Sequence, residues 1–315
     1  MKWKFDTAVR RAKLTCDINK YPVLVAVYPD KHREHGKVFV VRHNGVSVKD
    51  FDAEVHHLSA TLNGHIGPIE FSEIGGFMKL HFLPRRYMKP TIISVNSKEL
   101  VREPNLLVVG KTGSGKSYAL LSVLGAYVRS IPDVTIIACD YKHSTFAQFS
   151  DTPNFYGYQD VPEGIDRAYK EFEERLKAND ERRNKQIWVL AIDEYGTLVS
   201  SQPRTISEDL KAKVSAMMFM GRSLGIRVLT GIQRADAEYF KSGARDQFRA
   251  ILALGNLSKE QKQMLFSDYK DSMTERNDIG EGYLLIDGQD IERVKVAAIA
   301  DMDALDASIR EAMNR

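Results

Sequence analysis

The sequence predicts an α/β fold: a mostly parallel sheet with helices on both faces, preceded by a small β-rich module. Three observations lead there. From Asn105 onward, short runs that are apolar throughout alternate with helical stretches, the pattern of strands buried on both faces. A glycine-rich loop at residues 110–117 joins the first of these runs to a helix. Before residue 95 the segments are shorter and alternate, with Asn44-Gly45, Asn63-Gly64 and Gly75-Gly76 between them. The expected division is residues 1–95 for the module and 96–315 for the larger domain.

In the module, residues 21–28, 36–41 and 76–82 read as strands. Phe51, Val55, Leu58 and Leu62 sit near helical spacing, which predicts one helix over 47–62. In the larger domain, strands are expected at 105–109, 134–139, 187–192, 226–232, 250–254, 282–286 and 293–299. Helices are expected from 115 through 128, over 164–183 and over 301–314. The last two strands, joined by Asp287-Gly288, read as an antiparallel hairpin at the sheet edge.

Composition narrows the class. Apolar residues are 43% and charged residues 28% of the 315, which is the balance of a soluble globular protein. No apolar run approaches the roughly 20 residues that span a bilayer, and the basic start lacks the apolar stretch of a signal peptide. Cys16 and Cys139 lie far apart, which excludes a disulfide scaffold and a Cys-x-x-Cys zinc site and fits a cytoplasmic protein. The net charge of +3 is too small to argue for nucleic acid, so charge placement decides that question. Seven of the eight histidines precede residue 82, and none has a ligand spacing with an acid or cysteine, so no metal is assigned to them.

The loop carries the chemistry. Gly110, Gly115, Lys116 and Ser117 satisfy G-x-x-x-x-G-K-[ST], with a strand before and a helix after. Lys111, Thr112, Gly113, Ser114 and Tyr118 complete a cradle whose amides converge on phosphates at a helix N-terminus. Lys116 would bridge the β- and γ-phosphates of ATP, and the Ser117 hydroxyl would ligate Mg²⁺. The loop is expected to face solvent, so that the Lys116 charge serves phosphate alone. The second element is Asp193-Glu194, at the end of the apolar run 187–192. A carboxylate there needs a cation. Asp193 is expected to hold Mg²⁺ and Glu194 to deprotonate the attacking water, which makes the site hydrolytic.

From Asn105 onward the order of landmarks resembles the FtsK/SpoIIIE motor ATPases of the FtsK-HerA superfamily. The loop is followed by Asp140-Tyr141-Lys142 after the second strand. Then come Ile192-Asp193-Glu194, the block 221–226 (Gly-Arg-Ser-Leu-Gly-Ile), Gly231-Ile232-Gln233-Arg234, and finally Phe248-Arg249-Ala250-Ile251 and Gly280-Glu281-Gly282-Tyr283. Ala235 stands where the family has proline. The family's transmembrane segments and winged-helix domain have no counterpart in these residues, and the likeness is closer to mobile-element and coupling proteins. The resemblance implies a RecA-like core, an ATPase that moves DNA, and a homo-hexamer with catalysis at subunit interfaces. It makes Gln233 a γ-phosphate sensor and Arg249, ahead of Arg222 and Arg245, an arginine acting on a neighbour's γ-phosphate.

A motor of this kind needs cations facing DNA, duplex or single-stranded, with low sequence specificity. Arg204, Lys211, Lys213, Lys241 and Arg245, expected in loops, are the candidates. Two further basic segments are Lys2, Lys4, Arg10, Arg11 and Lys13, and Arg85, Arg86 and Lys89. A HerA-like helicase, a packaging motor, and a nucleotide-gated coupling or adaptor ATPase serving a relaxase or secretion complex are the alternatives. The last would bring a chain without its own membrane span to the membrane through that partner.

Overall fold

The structure is a computed structural model. It describes every residue except 17–19, 73–74, 85–89, 179–185, 242, 271–272, 274–276 and 288, and the side chain of Ser72. The basic segment Arg85, Arg86 and Lys89, and Gly288 of the expected hairpin turn therefore lie outside the described residues, while the helix expected to reach residue 183 ends at Lys177, where Ala178 turns extended at φ −70° and ψ 116°. The chain forms two compact units, Met1–Lys89 with Phe266–Thr274, and Pro90–Leu265 with Glu275–Arg315.

The first unit holds α1 (Lys2–Arg11), β1 (Val23–Pro29), β2 (Lys37–Arg42), α2 (Val48–Ala53), α3 (Val55–Leu62), β3 (Gly64–Ser72) and β4 (Phe77–Pro84). Its sheet is antiparallel, in the order β1-β2-β4-β3. Phe5 from α1, Phe51 and Leu58 from α2 and α3, and Phe39 and Phe82 from the sheet share one core. The single helix expected over 47–62 is two. Ser47 and Asp50 form a capping box at the first, and the chain breaks at Glu54, whose φ of −108° and ψ of 5° leave the helical region. The strand β3 was not expected. Its Gly67-Pro68 would interrupt an ordinary strand, but the pairing with β4 shifts register between Ile66 and Ile69, so a bulge on this edge strand absorbs them.

The second unit runs β5 (Thr91–Ile93), α4 (Lys98–Arg102), β6 (Asn105–Gly110), α5 (Lys116–Ser130), β7 (Thr135–Asp140), β8 (Phe155–Gly157), α6 (Val161–Lys177), β9 (Trp188–Asp193), α7 (Tyr195–Ser201), α8 (Arg204–Met220), β10 (Ile226–Ile232), β11 (Ala250–Leu254), α9 (Lys259–Leu265), β12 (Glu281–Ile286), β13 (Glu292–Val296) and α10 (Met302–Met313). One nine-stranded sheet has the order β5-β13-β12-β11-β6-β10-β9-β7-β8. From β11 through β8 every neighbouring pair is parallel. Helices cover both faces: Val189 and Ala191 of β9 join a core with Leu100, Leu124 and Ile309 of α4, α5 and α10, while Leu190 and Ile192 are buried on the other side. The α/β class is therefore as the sequence predicted.

Two details differ. The β12–β13 hairpin is antiparallel as expected, but it is not the edge, because β5 pairs in parallel outside β13. Arg204, Lys211 and Lys213 sit on α8, a helix of 17 residues that Arg204 opens, rather than in a loop. No helix among the described residues is long and apolar enough to cross a membrane.

The first unit's core makes a direct prediction. Phe39 is fully buried, with its ring stacked 4.9 Å from that of Phe82 and edge-on to Phe5 at 6.3 Å. Phe39→Ala should cost about 3–5 kcal/mol, read as a lowered urea midpoint for that unit.

Candidate active site

In a run of parallel strands all carboxyl ends share one edge, where ligands bind. The order β6-β10-β9 puts a third strand between the phosphate loop and Asp193-Glu194. Three chain segments far apart in sequence therefore meet: the loop after β6, Gln233 just past β10, and the acids ending β9. The close approach depends on Gly231 in β10, where a Cβ would come within 2.4 Å of the Asp193 Oδ1.

The loop has the shape its sequence implies. Gly115 caps α5 with φ of 93°, a conformation that a side chain resists. Lys111, Thr112 and Gly113 are exposed at the tip, while Gly110 and Ser114 are buried. The Ser114 hydroxyl is a buried polar atom with no protein partner, which fits a loop made to hold a polar ligand. The Tyr118 hydroxyl accepts from the Ile299 amide, which ties the start of α5 to the segment after β13.

Lys116 overturns one expectation. It is 6% exposed and its ammonium is bound by both carboxylates, Asp193 and Glu194, the latter at 3.1 Å. Its charge is thus used by the folded chain, not by phosphate alone. Asp193 and Glu194 are 1% and 5% exposed. Lys142, two residues past the end of β7, reaches Glu194 at 3.0 Å. Two acids and two lysines close a neutral cluster.

Glu194 is the most heavily bonded of the four. Its backbone is left-handed at φ 58°, a conformation that costs a non-glycine residue roughly 1–3 kcal/mol and is found at functional sites. The Gln233 amide donates to both carboxylate oxygens at 3.3 and 3.2 Å, and the Thr197 hydroxyl donates at 3.1 Å. Burial alone would raise this carboxyl. Lys116, Lys142 and Gln233 outweigh it and hold the group down at about 2.

A second layer was not foreseen in the sequence. The Thr145 hydroxyl lies 2.5 Å from the Asp193 Oδ2 and 2.8 Å from the Ser117 Oγ. Asp140, fully buried, accepts from the amides of Ser144, Thr145 and Phe146 at 2.7, 2.6 and 2.8 Å. The Asp140-Tyr141-Lys142 landmark pointed to this turn, but nothing marked Thr145, whose partners are separated from it by 28 and 48 residues. Ser117, Asp193 and Thr145 thus present oxygen atoms only, the donor chemistry of a hard divalent cation. Among the described residues no group of three His, Cys, Asp or Glu side chains is placed to hold a metal.

The three arginines lie elsewhere. Arg222 and Arg245 are in turns before β10 and β11. Arg249 directly precedes β11, its amide bonded to the Asn105 carbonyl at 3.1 Å, and its side chain is paired with Asp287. Asn105 opens β6, and the phosphate loop follows its far end, so all three arginines stand at the opposite edge of the sheet from this chain's own phosphate loop. Of the proposed DNA contacts, Lys211 and Lys241 pair with Glu208, and Lys213 pairs with Asp166 and Asp209. Arg204 and Arg245 make no ion pair among the described residues.

Residues 87–264 match the model of the FtsK/SpoIIIE family. The FtsK domain-containing protein YdcQ of Bacillus subtilis is 24% identical over 194 residues, 57% of this chain and 40% of its own length. The DNA translocase FtsK of Borreliella burgdorferi is 27% identical over 166 residues, 44% of this chain and 21% of its own. This chain thus spans less than half of either relative. Among solved structures, the pCW3 conjugation coupling protein TcpA, a monomer with ATPγS, aligns with a TM-score of 0.58 over 98% of both chains at 15% identity, a likeness of fold.

The lysine cluster makes a pH prediction. A carboxyl held low in the folded chain contributes stability that is complete above its unfolded value, near 4.5, and is lost as pH falls toward 2. Lys116→Ala leaves the buried Asp193 without its cation and Glu194 with Lys142 alone, and should cost about 3–5 kcal/mol at neutral pH. Acid should then protonate Glu194 and relieve the variant while it weakens the parent. Urea midpoints measured from pH 7 down to pH 3 should therefore converge.

Proposed function

The chain belongs to the FtsK/SpoIIIE family of P-loop ATPases, and from that premise we propose that it is an ATP-driven motor that moves DNA. It would hydrolyse ATP with Mg²⁺ at the subunit interfaces of a homo-hexameric ring. One observation carries this reading: Glu194, the base, touches Lys116 of the phosphate loop and Gln233 of the intervening strand at once. The phosphate lysine and the sensor are each already one hydrogen bond from the base.

Mg²⁺, held by Ser117 and Asp193, would neutralise charge on the β- and γ-phosphates. The chain's own residues do the rest. Incoming phosphate draws Lys116 off the two carboxylates. Glu194, relieved of that cation, becomes a stronger base and takes a proton from a water. The water oxygen bonds to the γ-phosphorus, the bond to the β–γ bridging oxygen breaks, and ADP and phosphate leave. Gln233 orients Glu194 and the water between them. Arg249, too far from its own site, would act on the nucleotide of a neighbouring copy.

A second reading is favoured by one finding. Lys211, Lys213 and Lys241 are paired with acids, which weakens the case for a dense cationic DNA surface. A coupling or adaptor ATPase that gates a relaxase or secretion complex would not need that surface, and it would reach the membrane through its partner.

The ATPase rate with and without DNA separates the two readings. A motor is stimulated by duplex or single-stranded DNA of any sequence, and stimulation fades as salt rises. A rate indifferent to DNA selects the adaptor. Glu194→Gln should retain ATP binding and lose at least ~10²-fold in turnover, measured by nucleotide binding beside phosphate release. Arg249→Ala should bind ATP normally but turn over slowly, and mixing it with Glu194→Gln subunits should restore part of the rate. Full activity of Arg249→Ala alone would remove it from the site.

A further inference from the structure

We propose that Thr145 is a positioning residue for the divalent cation, one that fixes where the Ser117 hydroxyl points its proton and how the Asp193 carboxylate lies. The inference rests on the ATPase reading above and deepens it.

A threonine hydroxyl has one proton and two lone pairs. An ionised Asp193 only accepts, so the 2.5 Å contact commits the Thr145 proton to its Oδ2. The 2.8 Å contact with Ser117 must then run the other way, with Ser117 donating and Thr145 accepting. Ser117 is left with lone pairs alone on its open side, the state in which a hydroxyl can ligate a cation. Without an acceptor at that position, its proton would be free to turn toward the metal. The same hydroxyl restrains Asp193, whose Oδ1 is occupied by Lys116 and by the Glu194 amide at 2.8 Å.

Thr145 is held for the task. It is 3% exposed, and its amide is one of three clamped by the buried Asp140 carboxylate. The turn between β7 and β8 is thereby pinned, and the hydroxyl is delivered between two ligands that come from β9 and from the phosphate loop. Partners that orient metal ligands typically contribute about 10–100-fold in metal affinity.

The test uses the full chain, a non-hydrolysable ATP analogue and Mn²⁺ in place of Mg²⁺, with free Mn²⁺ followed by electron paramagnetic resonance. Thr145→Val keeps the shape and removes the hydroxyl, and Thr145→Ser keeps the hydroxyl. Thr145→Val should bind Mn²⁺ to its analogue complex at least about tenfold more weakly, while its affinity for the analogue without metal stays within about twofold. Thr145→Ser should match the parent. Equal Mn²⁺ affinity in Thr145→Val and the parent overturns the proposal, as does an equal loss in both variants, which would trace the effect to side-chain bulk. If the parent itself binds neither analogue nor Mn²⁺, the ATPase reading fails first, and the two failures are told apart by the parent alone.

Discussion

The structure is organised around one electrostatic constraint: two adjacent carboxylates, Asp193 and Glu194, are buried at the end of a strand. Such groups are tolerated only where cations and hydrogen bonds replace the water they lose. Here the cations come from Lys116 on the phosphate loop and Lys142 after β7, and the hydrogen bonds come from Gln233, Thr197 and Thr145. Every segment at the carboxyl edge of β6, β7, β9 and β10 contributes at least one partner, and the turn after β7 contributes two. The sheet order makes this possible, and Gly231 keeps β10 thin enough for the acids and the loop to meet across it.

The same constraint links folding to turnover. In the ligand-free chain Lys116 satisfies the acids, and Glu194 is held near 2, too low to be an effective base at neutral pH. On the proposed reading, a bound phosphate would compete for that lysine, and binding would then change the base itself. Thr145 and Asp140 bond instead to Ser117, to the second oxygen of Asp193 and to the turn amides.

Much of this was legible in the sequence, for physical reasons that can be named. A strand buried on both faces must be apolar throughout, so β6, β7, β9 and β10 stand out. The phosphate loop needs glycines and a lysine at fixed spacing, so it was read to the residue. Illegible features were those set by partners remote in sequence. β3 carries Gly67-Pro68 and is a strand only because β4 accommodates a bulge. Thr145 is an ordinary threonine until Ser117 and Asp193 fold onto it. Lys116 read as a solvent-facing ligand group because only the folded chain shows it buried between acids. The loop positions of Lys211 and Lys213 were misjudged because α8 is weakly amphipathic, with Leu210, Val214, Met217 and Met218 as its buried stripe.

The exchange of Lys116 between carboxylates and phosphate is the centre of this account, and Glu194 reports it directly. Selective ¹³C labelling of glutamate side chains would give the Glu194 carboxyl titration in the free chain and with an ATP analogue in metal-free buffer. The account predicts a value near 2 in the free chain, rising with the analogue toward or beyond the ordinary glutamate value of about 4.3. A carboxyl that stays near 2 with nucleotide bound would mean that Lys116 never leaves it, and would contradict the account.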